Sequence, residues 1–177
     1  MKSFVTAYWT LFGNLKLPVP SELPAKSSPT EANTSILVWG AGGSTGQYAL
    51  QVLRLAGYTN VIAIASSHHH DYLRSLGAAV TLDYKAIDID EQVLKAAGGP
   101  VKYVFDTIGD EEYSLAHIAK FVAAGSKVAH LLPVRVGATG AVQGIKPATD
   151  IAFPNGVEIF GVRTAVYHIE VSSYVSR

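Results

Sequence analysis

Ile36-Leu37-Val38-Trp39 runs directly into Gly40-Ala41-Gly42-Gly43-Ser44-Thr45-Gly46, and the next ten residues have helical patterning that stops at Gly57. A short apolar run, a glycine-rich turn and a helix form the context in which glycines bind a dinucleotide. Glycines let the backbone approach a pyrophosphate, and the helix N-terminus presents free N–H groups to the phosphates. The stretch therefore predicts a nucleotide site, with candidate contacts at Gly40, Gly43, Ser44, Thr45 and Gly46.

The spacing of the glycines is G-x-x-G-x-x-G, formed by Gly40, Gly43 and Gly46. A strict G-x-G-x-x-G would need glycine where Thr45 stands. The alternative interpretation is a tight turn whose glycines serve only helix–sheet packing, but four glycines in seven residues exceed that need. Ser44 and Thr45 can cap the helix and contact phosphate at once, since hydroxyls commonly cap helices.

Composition narrows the class of protein. The 177 residues are 49% hydrophobic and 16% charged, which is typical of one compact domain with a real core. The net charge is zero and no apolar run is long enough to span a bilayer, so we expect neither a nucleic-acid nor a membrane partner. No cysteine is present, which excludes disulfides and thiolate metal sites. We expect a cytoplasmic protein.

From residue 35 onward, apolar strand-like runs alternate with helical segments. This alternation predicts an α/β fold of the Rossmann type, a doubly wound parallel sheet of six strands with helices on both faces. The expected strand order is 3-2-1-4-5-6. The predicted strands cover 35–39, 61–65, 79–82, 101–105, 127–132 and 157–162. The predicted helices cover 45–56, 69–76, 91–97 and 111–123.

The remaining segments suggest three parts. Residues 1–34 read as a lead-in helix, over 3–12, followed by a proline-rich connector. Residues 35–163 form the dinucleotide-binding domain, and 164–177 a truncated C-terminal tail. Within the domain, a glycine- and proline-rich loop over about 133–156 is long for a structureless connection, which favours a mobile or functional segment.

The end of the second strand decides between the two nicotinamide dinucleotides. A site for NAD usually carries an acid there, which binds a ribose 2′-hydroxyl and repels a 2′-phosphate. Serines stand at this position instead, which favours NADP(H), although no arginine follows the strand directly. The candidate phosphate contacts are Ser66, Ser67, His68 and His69, with charge from Arg74 or Lys85.

Four further residues lie where ligands bind on such a sheet. Asp106 and Thr107 end the fourth strand and Leu132 ends the fifth, which places them beside the nicotinamide half of the cofactor. Asp106 is equally interpretable as a turn aspartate that binds nearby N–H groups. Tyr84 follows the third strand and could pack on adenine or simply close the core. No catalytic residue can be named.

A set of segments carries a resemblance to a known family. The order of residues 6–13, 36–46, 75–78, 83–84, 105–109 and 157–163 resembles the medium-chain dehydrogenase/reductases. The glycine turn looks like their quinone-oxidoreductase and enoyl-reductase branch. The run Leu76-Gly77-Ala78 followed by Asp83-Tyr84 is similar to the fungal zinc-binding-dehydrogenase-like and trans-acting enoyl reductases.

The resemblance implies NADPH-dependent reduction of an activated C=C or C=O bond in a small-molecule substrate, with no zinc in this chain. Family members place a GroES-like barrel domain before this region, so the chain resembles the cofactor half alone. It also implies a homodimer through strand 157–162, since family dimers resemble that arrangement. The alternative is a cofactor-binding module without turnover, or an interaction protein.

Overall fold

The computed structural model describes residues 2–137, 144–146 and 148–163. The predicted C-terminal tail, 164–177, lies outside the described residues. The described helices are α1 Lys2–Trp9, α2 Ser44–Leu55, α3 His70–Leu76, α4 Ile89–Ala97 and α5 Ala116–Phe121. The described strands are β1 Ile36–Trp39, β2 Val61–Ala65, β3 Val80–Asp83, β4 Tyr103–Asp106, β5 Lys127–Leu131, β6 Val134–Val136, β7 Gly144–Lys146 and β8 Glu158–Val162.

Six of these strands form one parallel sheet in the order β3-β2-β1-β4-β5-β8. The predicted fold class and order are confirmed, with β8 as the sixth strand. Residues of β1, β2 and β4 are buried throughout, and this is why they read as continuous apolar runs rather than alternating ones.

Helices cover both faces of the sheet. On one face, Leu50 and Leu53 of α2 share a buried cluster with Val38 of β1 and with residues of α1 and α3. On the other face, Val93 of α4 and Phe121 of α5 pack in a second buried cluster. The two helical layers bury the sides of the sheet, so the carboxyl ends of the strands are left for a ligand.

The predicted loop over 133–156 is not irregular throughout. Its residues include the short antiparallel pair β6–β7, which the sequence analysis missed. The Arg135 N–H donates to the Gly109 carbonyl (2.7 Å), and the Thr149 hydroxyl donates to the Glu111 carboxylate (3.0 Å). The segments that follow β4 and β5 are therefore joined to each other.

The proline-rich connector lies at the amino ends of the strands, opposite the carboxyl ends that are left for a ligand. The Glu31 carboxylate accepts hydrogen bonds from Lys102 Nζ and the Tyr103 hydroxyl, both at 2.9 Å, beside the amino end of β4. The Tyr58 hydroxyl donates to the Pro18 carbonyl (2.9 Å) just before β2. The connector thus leaves the carboxyl ends of β1, β2 and β4 uncovered.

Among the described helices, none combines the length and apolar character that crossing a bilayer requires.

Candidate functional site

A cleft of about 530 Å³ opens at the carboxyl ends of β1, β2 and β4. One wall is the glycine turn with the start of α2, another the ends of β2 and β3, and the third the segment after β4. The predicted residues that line it are Gly40, Gly43, Ser44, Thr45, Ser66, His69, Tyr84 and Thr107. The predicted residues that do not line it are Gly46, Ser67, His68, Asp106 and Leu132.

Two glycines of the turn are required by the fold itself. Gly40 has φ +78°, and a side chain there would collide with Thr107 Oγ1 and Ile108. A Cβ on Gly46 would lie 2.5 Å from the Cα of Ala41 and 2.8 Å from the Gly40 carbonyl oxygen. These two positions shape the turn and bring α2 close to β1.

Gly43 is different, because neither its backbone nor its packing requires glycine. It adopts the extended conformation, with φ −78°, at the N-cap of α2. The nearest atom that a Cβ would meet is the Gly40 carbonyl oxygen at 3.5 Å, an ordinary contact. The residue faces the cleft, and no side chain caps the N-terminus of α2. The bare backbone at Gly43 therefore leaves the first N–H groups of α2 open to a ligand.

Two side chains hold the glycine turn in place. Gln47 Nε2 donates to the Gly42 carbonyl (2.7 Å). The His69 ring packs on Gly42, since a Cβ there would lie 2.8 Å from His69 Cδ2. His69 lines the cleft, whereas His68 is exposed and lies against the His69 ring, with ring centroids 3.9 Å apart. Of the two histidines, the structure thus brings His69 rather than His68 to the site.

An acid lies near the end of β2, although none stands there in sequence. The Asp83 carboxylate, from β3, accepts hydrogen bonds from the Ser67 N–H (3.2 Å) and the Lys85 N–H (2.9 Å). The Lys85 N–H is the main reason that the pKa of Asp83 lies below its usual value. Ser66 lines the cleft beside this corner, and the Ser67 backbone is engaged by Asp83.

The two cations suggested for a 2′-phosphate lie elsewhere. Arg74 forms an ion pair with Asp71 (2.7 Å) on the exposed side of α3. Lys85 Nζ lies 5.7 Å from the centre of the Tyr84 ring. Neither side chain lines the cleft, so the charge that they were expected to supply is not found there.

Asp106 serves the turn after β4. Its carboxylate is fully buried and accepts hydrogen bonds from the Ile108 N–H (2.9 Å), the Gly109 N–H (3.1 Å) and the Ser114 hydroxyl (2.7 Å). Burial raises the pKa of Asp106 to about 6, against the effect of these donors. The side chain does not reach the cleft, which agrees with the turn interpretation.

Thr107 and Leu132 have different surroundings. The Thr107 hydroxyl lies 2.9 Å from the Trp39 carbonyl oxygen and 3.0 Å from that of Gly40, so it ties β4 to the glycine turn. Leu132 packs against Gly161 of β8, where a Cβ would lie 2.7 Å from Leu132 Cδ1. Leu132 therefore closes the core instead of lining the cleft.

The far wall contains residues that sequence reasoning missed. Tyr113 donates its hydroxyl to the Tyr84 carbonyl (3.1 Å), and the two rings meet edge to face at 5.9 Å. Ile108 and Arg135 complete this wall. Tyr113 lies in the π-helical turn Glu111–Leu115 that follows β4, and its place after a strand end is the signal that could have pointed to it. Arg135 lies in the unpredicted hairpin and gave no such signal.

Comparisons with known proteins identify the family of this chain. Residues 44–166 match the family described as zinc-binding dehydrogenase. A zinc-type alcohol dehydrogenase-like protein of Schizosaccharomyces pombe is 37% identical over 120 residues, which is 67% of this chain and 33% of that protein. The trans-enoyl reductase poxP of Penicillium oxalicum is 32% identical over 124 residues, 70% of this chain and 32% of that protein.

A solved structure shows the same fold. The crystal structure of the CurK enoyl reductase superposes with a TM-score of 0.67 at 20% identity, over 98% of this chain and 48% of that one. The chain spans about a third of the length of the two curated relatives above. On the match to residues 44–166 and the identity to these relatives, the chain belongs to the zinc-binding dehydrogenase family of the medium-chain dehydrogenase/reductases.

Proposed function

We propose that the cleft binds NADPH and that this chain is the cofactor-binding part of a reductase for activated C=C or C=O bonds. The observation that supports it best is Gly43. Its glycine is needed neither for a positive φ nor for packing, yet it faces the cleft at the uncapped start of α2. A position kept bare at a helix N-terminus suits the close approach of a phosphate.

Different residues of the cleft would bind different parts of the cofactor. The N–H groups at Ser44 and Thr45 would hold the diphosphate, with their hydroxyls beside it. Ile108, Tyr84 and Tyr113 offer an apolar and aromatic wall for adenine. When bound, the cofactor supplies the hydride, and the protein's part is binding and orientation.

The proposed preference for NADPH rests on the corner between β2 and β3. Ser66 and His69 line the cleft there, and both can donate hydrogen bonds to a phosphate. The nearby Asp83 carboxylate accepts hydrogen bonds from two main-chain N–H groups. It therefore does not face the cleft as a free acceptor for a ribose hydroxyl. We therefore assign the 2′-phosphate to Ser66 and His69.

The substrate class is proposed from the relatives' names. One relative and one structural neighbour are enoyl reductases, enzymes that reduce a C=C bond.

Zinc, which the family name implies, does not fit the described residues of this chain. Across 2–137, 144–146 and 148–163, no three histidine, aspartate or glutamate side chains are grouped to hold a metal ion. No step is assigned to a metal here.

The second candidate is a cofactor-binding module without turnover of its own. It is favoured by one observation, that every role assigned above to a described residue of the cleft is one of cofactor binding. The two candidates share the cleft and differ in whether bound NADPH is oxidised. The loss of NADPH absorbance on addition of an α,β-unsaturated thioester or a quinone distinguishes them.

Calorimetric titration of the purified chain with NADPH and NADH tests the site itself. We expect tighter binding of NADPH, and a loss of about tenfold or more in affinity for both cofactors in Gly43→Val, whose side chain would enter the cleft. The matched control is Ser27→Val, at an exposed position in the connector. An unchanged affinity in a folded Gly43→Val variant would contradict the proposal.

A further inference from the structure

We infer that Arg135 binds the diphosphate of the dinucleotide from the wall opposite the start of α2. The inference rests on the proposed function, because it assumes a dinucleotide in the cleft. Arg135 lies in β6, is exposed, and lines the same cleft as Gly43, Ser44 and Thr45. Arg135 and the uncapped helix N-terminus thus border one cavity.

The backbone of Arg135 is fixed to the segment after β4. Its N–H donates to the Gly109 carbonyl at 2.7 Å, and the residue forms a parallel bridge with Asp110. Gly109 itself has φ +62° and lies against the Leu131 carbonyl, where a side chain could not fit. The long side chain therefore starts from a defined point on the cleft wall.

The positive end of α2 does not by itself balance the charge of a diphosphate, so a cation in the cleft would add to binding. A helix N-terminus carries about half a positive charge, whereas a diphosphate bears a full negative charge on each phosphate. Among the described residues that line the cleft, two side chains are fully charged, and one of them, Asp110, accepts a hydrogen bond from the Tyr113 N–H (3.0 Å) and so caps its own helical turn. Arg135 is the other, and its planar guanidinium can hold two phosphate oxygens at once.

Three other cations among the described residues already have partners. Arg74 pairs with Asp71, Lys120 pairs with Asp90 (2.9 Å), and Lys85 lies over Tyr84. The Arg135 guanidinium has no hydrogen bond or ion pair with any residue of the described ranges. It is thus available to an anionic ligand.

Calorimetric titrations of the wild-type chain and Arg135→Gln with NADPH, NADH, ADP-ribose and adenosine 2′-monophosphate test the assignment. We expect about tenfold weaker binding of the three diphosphates, and unchanged binding of the monophosphate. Arg135→Lys should recover part of the loss, since lysine keeps the charge without the planar fork. Arg74→Gln is the control and should bind all four ligands like the wild type.

The other outcomes separate the failures. If Arg135→Gln weakens only NADPH and the monophosphate, the residue contacts the 2′-phosphate and the assignment is wrong. If all four ligands bind the variant as they bind the wild type, Arg135 does not touch the nucleotide, and the assignment falls while the nucleotide site stands. If the wild-type chain binds none of them, the proposed function falls and this inference with it.

Discussion

A methyl group on Gly46 would lie 2.5 Å from the Cα of Ala41, so the start of α2 packs directly against the backbone of the glycine turn. Since backbone cannot move aside cheaply, Gly46→Ala should destabilise the chain by about 1–3 kcal/mol, despite the better helix propensity of alanine. Urea unfolding followed by circular dichroism measures this. Gly43→Ala, which meets only ordinary contacts, is the matched control. Equal unfolding midpoints for the two variants would contradict the prediction.

Asp106 should make stability depend on pH in a defined direction. Its pKa in the fold, about 6, lies above the value of about 4 expected for an unfolded chain. The native state therefore binds this proton more readily, so Asp106 contributes increasing stability as pH falls from about 6 to 4.

Asp106→Asn cannot titrate and provides the reference. The stability advantage of the wild type over this variant should grow by an amount on the order of 2 kcal/mol over the same fall in pH. Urea unfolding of both proteins at several pH values gives the difference. Parallel pH profiles would show that Asp106 has an ordinary pKa.

The Asp83 carboxylate should limit the preference for NADPH. It lies 3.2 Å from the Ser67 N–H, at the corner assigned to the 2′-phosphate, and its charge opposes that group. Asp83→Asn should therefore raise the affinity for NADPH severalfold relative to NADH. Asp71→Asn removes a fully exposed carboxylate elsewhere and is the control. A shift toward NADH would mean that Asp83 binds a ribose hydroxyl.

We propose that two chains pair through β8, which lies at the edge of the sheet. The Glu158 N–H donates to the Ser126 carbonyl, so the alternation along the strand points the Ile159 N–H outward. Ile159→Pro removes that outer donor without breaking a bond to β5.

Sedimentation velocity over a range of concentrations tests this pairing. The wild type and an Ile159→Thr control should form dimers, and Ile159→Pro should remain monomeric. A wild-type chain that is monomeric at every concentration would exclude the interface, as would dimers that survive the proline.

The sheet could be predicted because its central strands are buried on both faces. Runs such as Ile36–Trp39 and Val61–Ala65 are then apolar at every position, and the glycines between strand and helix fix where the chain turns. The hairpin β6–β7 could not be predicted, since its three-residue strands lie in a glycine-rich segment and depend on contacts with Gly109.

The predicted residues that the structure places away from the cleft have a common physical cause. A 3-10 turn over Ser67–His69 rotates successive side chains, so His69 instead of His68 meets the glycine turn. Asp83 reaches Ser67 from a neighbouring strand, a contact that spacing along the chain does not reveal. Sequence patterns gave the positions of the strand ends, but the direction of each side chain there depends on contacts between elements.

The hydrogen bonds from Arg135 to Gly109 and from Thr149 to Glu111 connect the segments after β4 and β5, so that the cleft wall and the residues behind it should move together. Residues that are 38 positions apart, Glu111 and Thr149, are held as one piece. Random mutagenesis that selects for altered cofactor affinity should consequently return substitutions from the 148–151 segment, although the described residues that line the cleft include none of these four. In this protein, we expect cofactor affinity to change through substitutions at residues that do not contact the ligand as well as at residues that do.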